Sequence, residues 1–443
     1  MLARITANEP AISGVLVPPA DKSISHRALL FALLAEGTSR LEHLSTAHDV
    51  GATARMIELF GASVTGGGAE TRITSPGLWG LREAADVVDM ENSGTGVRLG
   101  IGVATLVPGI TVFTGDTSLR QRPMARVLGP LRQLEASIWG RGGDAMLPVV
   151  VRGGKLKSGT VDLRIASAQV KSALLLAGLG IDGPVHVTEP VLTRPHTEEL
   201  LELAGVALEE SYTADGAHRV TIRGPAQPSP LTYSIPGDPS AAAFFVVAAA
   251  VIPEANLRVD GVYLGPTRSG FLDVLGTMGA AIERGDSDLV VEGTRLSGTV
   301  VQGLAIPSLI DEIPILCVGA AFAEGTSAFR DAGELRVKES DRIEATARLL
   351  EAFGVGVETF DDGLVVHGGL RPGSLRGKRR CISARLDHRI AMAGAILGLI
   401  AGGVTDIEGI ETVATSYPGF FDDLRRLGSA TVEIGEFDER DRP

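Results

Sequence analysis

The sequence predicts an α/β protein assembled from six copies of one βα-rich unit of about 74 residues. Three observations predict it. Two interleaved series of helical segments recur with that spacing. One of the series is apolar on nearly every face, so its helices belong inside a core. The chain has 443 residues, which at roughly 150 residues per domain is enough for two or three domains.

The first series reads as amphipathic helices over residues 52–61, 124–135, 197–205, 269–279, 342–354 and 419–428. The end residues are Gly61, Glu135, Gly205, Gly279, Gly354 and Gly428, spaced by 74, 70, 74, 75 and 74. Gly just past a helix is the expected C′ residue, because it takes a left-handed backbone without steric cost. Glu135 departs from that pattern. After most of these ends a short β-branched stretch, such as 62–64 or 355–357, reads as a strand.

The second series consists of apolar runs at 28–35, 99–106, 173–179, 241–252, 313–322 and 390–400. Each follows a polar cluster, beginning at Asp21, Glu91, Ser167, Asp238, Asp311 and Asp387, with gaps of 70, 76, 71, 73 and 76. One such cluster alone is a helix N-cap. Six in register, carrying Lys, Arg, His and Gln beyond any capping need, point further. Buried helix N-termini present unpaired N–H groups and a positive dipole end, and several converging ends make an anion site. Pro236-Gly237 reads as a hinge, with the first strand packing beside the C-terminal half.

Composition narrows the function classes. Aromatic residues make up only 4 %, so aliphatic and small residues, including 56 Gly, must fill the core. Lys and Arg number 41 against 54 Asp and Glu, a formal charge of −13. That speaks against nucleic-acid binding through a general basic field, but leaves room for a local small-anion site. Cys317 and Cys381 form neither a metal pattern nor a disulfide framework, which fits a reducing compartment. The first residues lack the apolar core of a signal peptide. The longest apolar runs fall short of the roughly 18 residues that span a bilayer. A soluble cytoplasmic protein is expected. The tail from Glu433, with Glu436, Asp438, Glu439 and Asp441, reads as solvated.

Individual motifs carry chemistry. Asp21-Lys-Ser-Ile-Ser-His-Arg27 sets Lys22 and Arg27 with two hydroxyls at a helix start, a combination suited to phosphate or carboxylate. Asn92-Ser-Gly-Thr-Gly-Val-Arg98 permits close backbone approach to a ligand. In Gly115–Met124, Arg120 and Arg122 precede Pro123, a candidate first helical residue. Lys338 and Arg342 are four apart and are expected on one helix face, where two like charges repel unless an anion lies between them. A salt-bridge network with Glu339 and Asp341 is the bland alternative.

Together DKSISHR (21–27), NSGTGVR (92–98), GDTSLRQRPM (115–124), SAQVKSALLLAGL (167–179), ELRVKESDRI (334–343) and LDHRIAMA (386–393) resemble the signatures of the 5-enolpyruvylshikimate-3-phosphate synthase family. The resemblance runs in order from about residue 13 to about residue 430. It implies two globular domains, each of three βαβαββ-type units with buried parallel helices, closing over a cleft. The expected domains are 1–20 with 238–443, and 21–237. The implied reaction moves the carboxyvinyl group of phosphoenolpyruvate to the 5-hydroxyl of shikimate 3-phosphate and releases phosphate, in aromatic amino-acid and chorismate biosynthesis. No metal or organic cofactor, nucleic acid or membrane is implied, and a monomer is expected.

Residue roles follow from the same resemblance. Lys22, Ser23, Arg27, Ser167, Ala168, Gln169, Arg194, Asp311 and Lys338 are expected to bind shikimate 3-phosphate. Lys22, Asn92, Gly94, Arg122, Gln169, Arg342 and Arg389 are expected to bind phosphoenolpyruvate. Asp311 is assigned as proton acceptor, Glu339 as proton donor to carbon, and Lys22 as an aid to proton transfer or phosphate departure. Arg suits bidentate contacts to such anions. Asp311 is also a candidate N-cap of the 313–322 helix. Three positions depart from the common pattern: Ala20 stands where many members have Gly, Ala168 where many have Ser, and Thr415 where others carry Lys. The nearest rival is the UDP-N-acetylglucosamine enolpyruvyl transferase family, whose arginine loop typically holds a Cys that 115–124 lacks. The other rival is a non-catalytic anion-binding protein of the same fold, against which the presence of Lys22, Asp311 and Glu339 argues.

Overall fold

A computed structural model describes residues 1–435. Glu433 is exposed in the last strand, Gly428–Gly435, and the acidic tail with Glu436, Asp438, Glu439 and Asp441 lies outside the described residues. The chain forms two compact units. One is Ala20–Ile235. The other combines Met1–Pro19 with the chain from Pro236 onward.

Among the described residues, helices of eight residues or more alternate between two kinds. The buried kind comprises α1 (Lys22–Leu34), α3 (Gly94–Ala104), α5 (Ala168–Gly178), α7 (Pro239–Val251), α9 (Ile313–Phe322) and α11 (His388–Ala401). Every residue of α7, α9 and α11 is buried. The amphipathic kind comprises α2 (His48–Leu59), α4 (Ala125–Gln133), α6 (His196–Leu203), α8 (Gly270–Thr277), α10 (Arg342–Glu351) and α12 (Phe420–Leu427). The α/β fold class and both helical series expected from the sequence are borne out. No single helix among the described residues is long and apolar enough to cross a membrane.

The helix ends refine the glycine pattern. Gly61, Gly205, Gly279 and Gly354 take positive φ, and so does Glu135, at φ 64. Glu135 departs in residue type while keeping the conformation. Gly428 is the true exception: its φ is −97, and the chain passes straight from α12 into a strand.

Four of the copies each build a four-stranded sheet with one parallel and two antiparallel pairings. In Ala20–Ile235 one such sheet runs Thr232–Ser234, Glu36–Glu42, Glu70–Pro76, Ser63–Gly67. Two more follow the same scheme. In the other unit, Val300–Val301, Thr326–Phe329, Gly363–His367 and Gly356–Phe360 repeat it. The remaining two copies fuse into one seven-stranded sheet through the long first strand, Leu2–Leu16. Its end, Ser13–Leu16, pairs parallel with Asn256–Val259. Its beginning, Leu2–Ala7, lies antiparallel between Gly403–Glu408 and Gly428–Gly435. The last copy therefore takes its central strand from the start of the chain, and this makes the unit discontinuous.

Small residues let the buried helices approach. A Cβ at Gly102 of α3 would run into the backbone of Ala173 of α5.

Candidate active site

In Ala20–Ile235 the site begins at three capped helix starts. Asp21 accepts the Ile24 amide at 2.8 Å, Ser93 the Gly96 amide at 3.0 Å, and Ser167 the Val170 amide at 3.5 Å. The three helices start at the same end. Gln169 of α5 donates to Thr95 Oγ1 of α3 at 2.9 Å, each being the second residue of its helix. Arg27 of α1 donates to Ser172 Oγ of α5, also at 2.9 Å. Three positive dipole ends are thereby gathered at one place.

Lys22 opens α1, and its Nζ lies 3.0 Å from Asp49 Oδ2 on α2. Arg27 is only 2 % exposed and braces the cluster from below. Its Nε donates to Thr197 Oγ1 and its Nη1 to the Ser23 carbonyl, both at 2.9 Å. His26 is buried with Nδ1 2.7 Å from Thr53 Oγ1. Burial, then the charges of Lys22 and Arg27, hold its pKa well below the ordinary 6.5.

A second group surrounds the start of α3. Arg122 Nη2 donates to Asn92 Oδ1 at 2.7 Å, and Asn92 Nδ2 donates to Asp116 Oδ2 at 2.7 Å. Arg98 Nη1 donates to Gln169 Oε1 at 2.8 Å. A Cβ at Gly94 would sit 2.8 Å from Arg122 Nη1 and 3.3 Å from Arg98 Nη1. Two guanidinium groups thus flank one glycine at a helix start, an arrangement that an anion stabilises. Glu91, at φ 50, precedes this group in a strained backbone. Pro123 is not the first residue of a helix as expected. It precedes the Met124 N-cap of α4, and its carbonyl accepts Arg98 Nη2 at 3.3 Å. Ser167 and Ala168 lie half-buried at the α5 start. Arg194 lies in the loop before α6, half-buried.

The other unit repeats the layout. Asp238 caps α7 through the Ser240 amide at 2.8 Å, and Asp387 caps α11 through the Arg389 amide at 2.9 Å. Ser240 Oγ donates to Glu312 at the head of α9. Arg389 Nη1 donates to the Asp311 carbonyl at 2.8 Å and lies 3.5 Å from Glu312 Oε1. Asp311 is not the N-cap of α9. Glu312 holds that position, and no side chain caps the helix.

The Asp311 carboxylate is turned to cations instead. Its Oδ1 is 3.2 Å from Arg342 Nη1 and 3.6 Å from Lys338 Nζ. Lys338 is not on the helix that carries Arg342. Asp341 caps α10 by accepting the Glu344 amide at 3.1 Å, which leaves Lys338 in the preceding loop. The expected helix-face pair is replaced by two cations sharing one carboxylate oxygen. Arg342 is 1 % exposed and also meets Asp387 Oδ2 at 2.9 Å and Glu339 Oε2 at 2.6 Å. Burial disfavours its charge, but the fields of Asp387, Glu339 and Asp311 outweigh that and raise its pKa. Asp387 is also fully buried, yet Arg342 holds its carboxyl below the usual range. Asp341 pairs with Arg336 at 2.6 Å, outside this network.

A family model for EPSP synthase (3-phosphoshikimate 1-carboxyvinyltransferase) matches residues 7–424. The chain belongs to the EPSP synthase family. A 3-phosphoshikimate 1-carboxyvinyltransferase of Anaeromyxobacter sp. (strain Fw109-5) is 46 % identical over 420 residues, covering 93 % of this chain and 95 % of that one. One of Synechocystis sp. is 45 % identical, with 96 % of each chain covered. The solved EPSP synthase of Acinetobacter baumannii superposes with a TM-score of 0.84 at 36 % identity, over 98 % of this chain and 100 % of that one. The enolpyruvyl transferase NikO of Streptomyces tendae, at 18 % identity over 98 % of each chain and a TM-score of 0.77, shares the fold.

Several members of these clusters were not singled out from the sequence. Arg98 sits inside a quoted motif, and a charged side chain on a buried helix was the available signal. Asp49, the partner of Lys22, had none, because it comes from an amphipathic helix outside every motif. The sequence marks Asp387 only as a helix start. Thr415 Oγ1 donates to the Thr412 carbonyl at 2.7 Å. Cys317 is buried in α9 and Cys381 is exposed on strand Arg379–Ser383.

Proposed function

We propose that this chain transfers the carboxyvinyl group of phosphoenolpyruvate to the 5-hydroxyl of shikimate 3-phosphate and releases phosphate. The observation that carries this reading is Asp311, a carboxylate held between Arg342 and Lys338. Both cations bear on one oxygen of a carboxylate, a group able to accept a proton. The substrates are multiply anionic, and Lys22, Arg98, Arg122, Arg342 and Arg389 supply matching charge at helix starts.

The steps balance as follows. Asp311 takes the proton of the 5-hydroxyl while that oxygen bonds to C2 of phosphoenolpyruvate. Glu339 delivers a proton to the methylene carbon, giving a methyl ketal phosphate. The methyl then returns a proton to the Glu339 carboxylate, the C2–O bond breaks with its electron pair leaving on phosphate, and the vinyl group re-forms. Glu339 is oriented by Arg342, whose Nη2 lies 2.6 Å from Glu339 Oε2. Lys22 and Arg122 offset charge on the departing phosphate. In this reading Lys22, Ser23, Arg27, Ser167, Ala168, Gln169, Arg194, Asp311 and Lys338 are the residues for shikimate 3-phosphate. Asn92, Gly94, Gln169, Arg342 and Arg389 hold phosphoenolpyruvate. Cys317 and Cys381, neither in a disulfide, fit a reducing compartment such as the cytoplasm, and we read the enzyme as a monomer.

The test is phosphate release from phosphoenolpyruvate with each of two acceptors. Release with shikimate 3-phosphate and none with UDP-N-acetylglucosamine is expected. The reverse preference, or no release with either, contradicts the proposal.

A further inference from the structure

Behind the loop that carries Arg194 lies a buried ion cluster that the proposed chemistry does not use. Lys171 of α5 is 0 % exposed. Its Nζ is 2.7 Å from Glu189 Oε1 and 2.6 Å from Glu198 Oε1. Glu189 ends strand Gly183–Glu189, and Glu198 lies in the first turn of α6. His218 faces Glu189 through Nδ1 and Glu210 through Nε2, each at 3.1 Å. Burying such charges is costly, and an apolar core of equal volume is often as stable. Stability alone therefore does not account for the cluster.

Its contacts suggest the use. All three polar atoms of Thr193 bond to it. The Thr193 amide donates to Glu189 Oε1 at 3.1 Å, and Thr193 Oγ1 donates to Glu189 Oε2 at 2.5 Å. The Thr193 carbonyl accepts Lys171 Nζ at 3.4 Å. The next residue is Arg194. A guanidinium gains most from phosphate when its plane is fixed, and the cluster holds the backbone beside Arg194.

We propose that Lys171, Glu189 and Thr193 are positioning residues that clamp the loop and aim Arg194 at the phosphate of shikimate 3-phosphate. The proposal rests on the assignment of Arg194 to that ligand. The route runs from the α5 interior, through the Glu189 carboxylate, to the backbone beside Arg194. It leaves phosphoenolpyruvate untouched.

The test is calorimetric binding of shikimate 3-phosphate to the full chain, with KM for phosphoenolpyruvate measured alongside. Thr193→Val removes one donor to Glu189 and is expected to weaken shikimate 3-phosphate about tenfold. KM for phosphoenolpyruvate should stay within about twofold, and Thr193→Ser should restore binding. In an Arg194→Ala background, Thr193→Val should add less than about twofold, since it acts through Arg194. Should Thr193→Val fail to fold, Thr193→Ala reads the same contact. Unchanged binding in Thr193→Val, with Arg194→Ala clearly weakened, overturns the clamp alone. Losses that multiply in the double variant overturn the route through Arg194. Parental binding in Arg194→Ala overturns the assignment of Arg194, and the clamp with it.

Discussion

Asp311 shows how little its chemistry depends on helix capping. Asp311→Asn keeps the size of the side chain, and Glu312 remains at the α9 N-cap. Arg342 keeps Asp387 and Glu339 as partners. The variant should therefore melt close to the parent and bind shikimate 3-phosphate within a few-fold. Its kcat should fall by about 10² or more, because an amide does not accept the proton. A lower melting temperature with kcat intact would make Asp311 structural. Gly94→Ala puts a methyl group against Arg122 Nη1. The guanidinium must yield, so KM for phosphoenolpyruvate should rise, and larger analogues such as glyphosate should lose more. Competition assays read this, and weakening confined to shikimate 3-phosphate would contradict it. His26 carries a third expectation. Its folded pKa lies below the unfolded value of about 6.5. The stability it contributes is complete above that pH and declines as pH falls below it, because the unfolded chain then binds the proton first. Its ring resonances should stay fixed from pH 8 to pH 6, and titration near 6.5 would contradict its neutral burial.

At the scale of elements, the repeat can be tested through its helix ends. Gly354 has φ 80 and no atom within 4 Å of an added Cβ. Gly354→Ala should cost about 1 kcal/mol through the backbone alone. Glu135 already bears that strain, and its exposed pair with Lys157 contributes little. Glu135→Gly should therefore be neutral or stabilising, and equal destabilisation of both in urea titrations would contradict this account. The helices were legible because period and apolarity are local properties written every 74 residues or so. The site was legible only in part. The sequence puts Arg342 in a motif and Asp311 at the head of a polar cluster, but does not bring them onto each other. Whether Lys338 joins a helix is decided by Asp341 capping α10. Whether Asp311 caps α9 is decided by the residue after it. The Lys22–Asp49 pair joins two helices, and the Arg98–Gln169 contact spans 71 residues. Such pairings depend on packing, which no spacing rule states.

For the whole molecule, one unit is closed by its own C-terminal stretch, Thr232–Ser234, and the other by the first strand. The scheme gives each unit three buried helices, and Lys22, Arg98 and Arg389 lie near the starts of three of the six. The central claim is that these residues perform an addition followed by an elimination on phosphoenolpyruvate. It is tested most directly by the mass spectrum of the product formed in deuterated water from phosphoenolpyruvate and shikimate 3-phosphate. Protonation of the methylene carbon followed by loss of a methyl proton predicts a carboxyvinyl product with deuterium in its methylene group. A product whose methylene carries only protium, or no product at all, would contradict it.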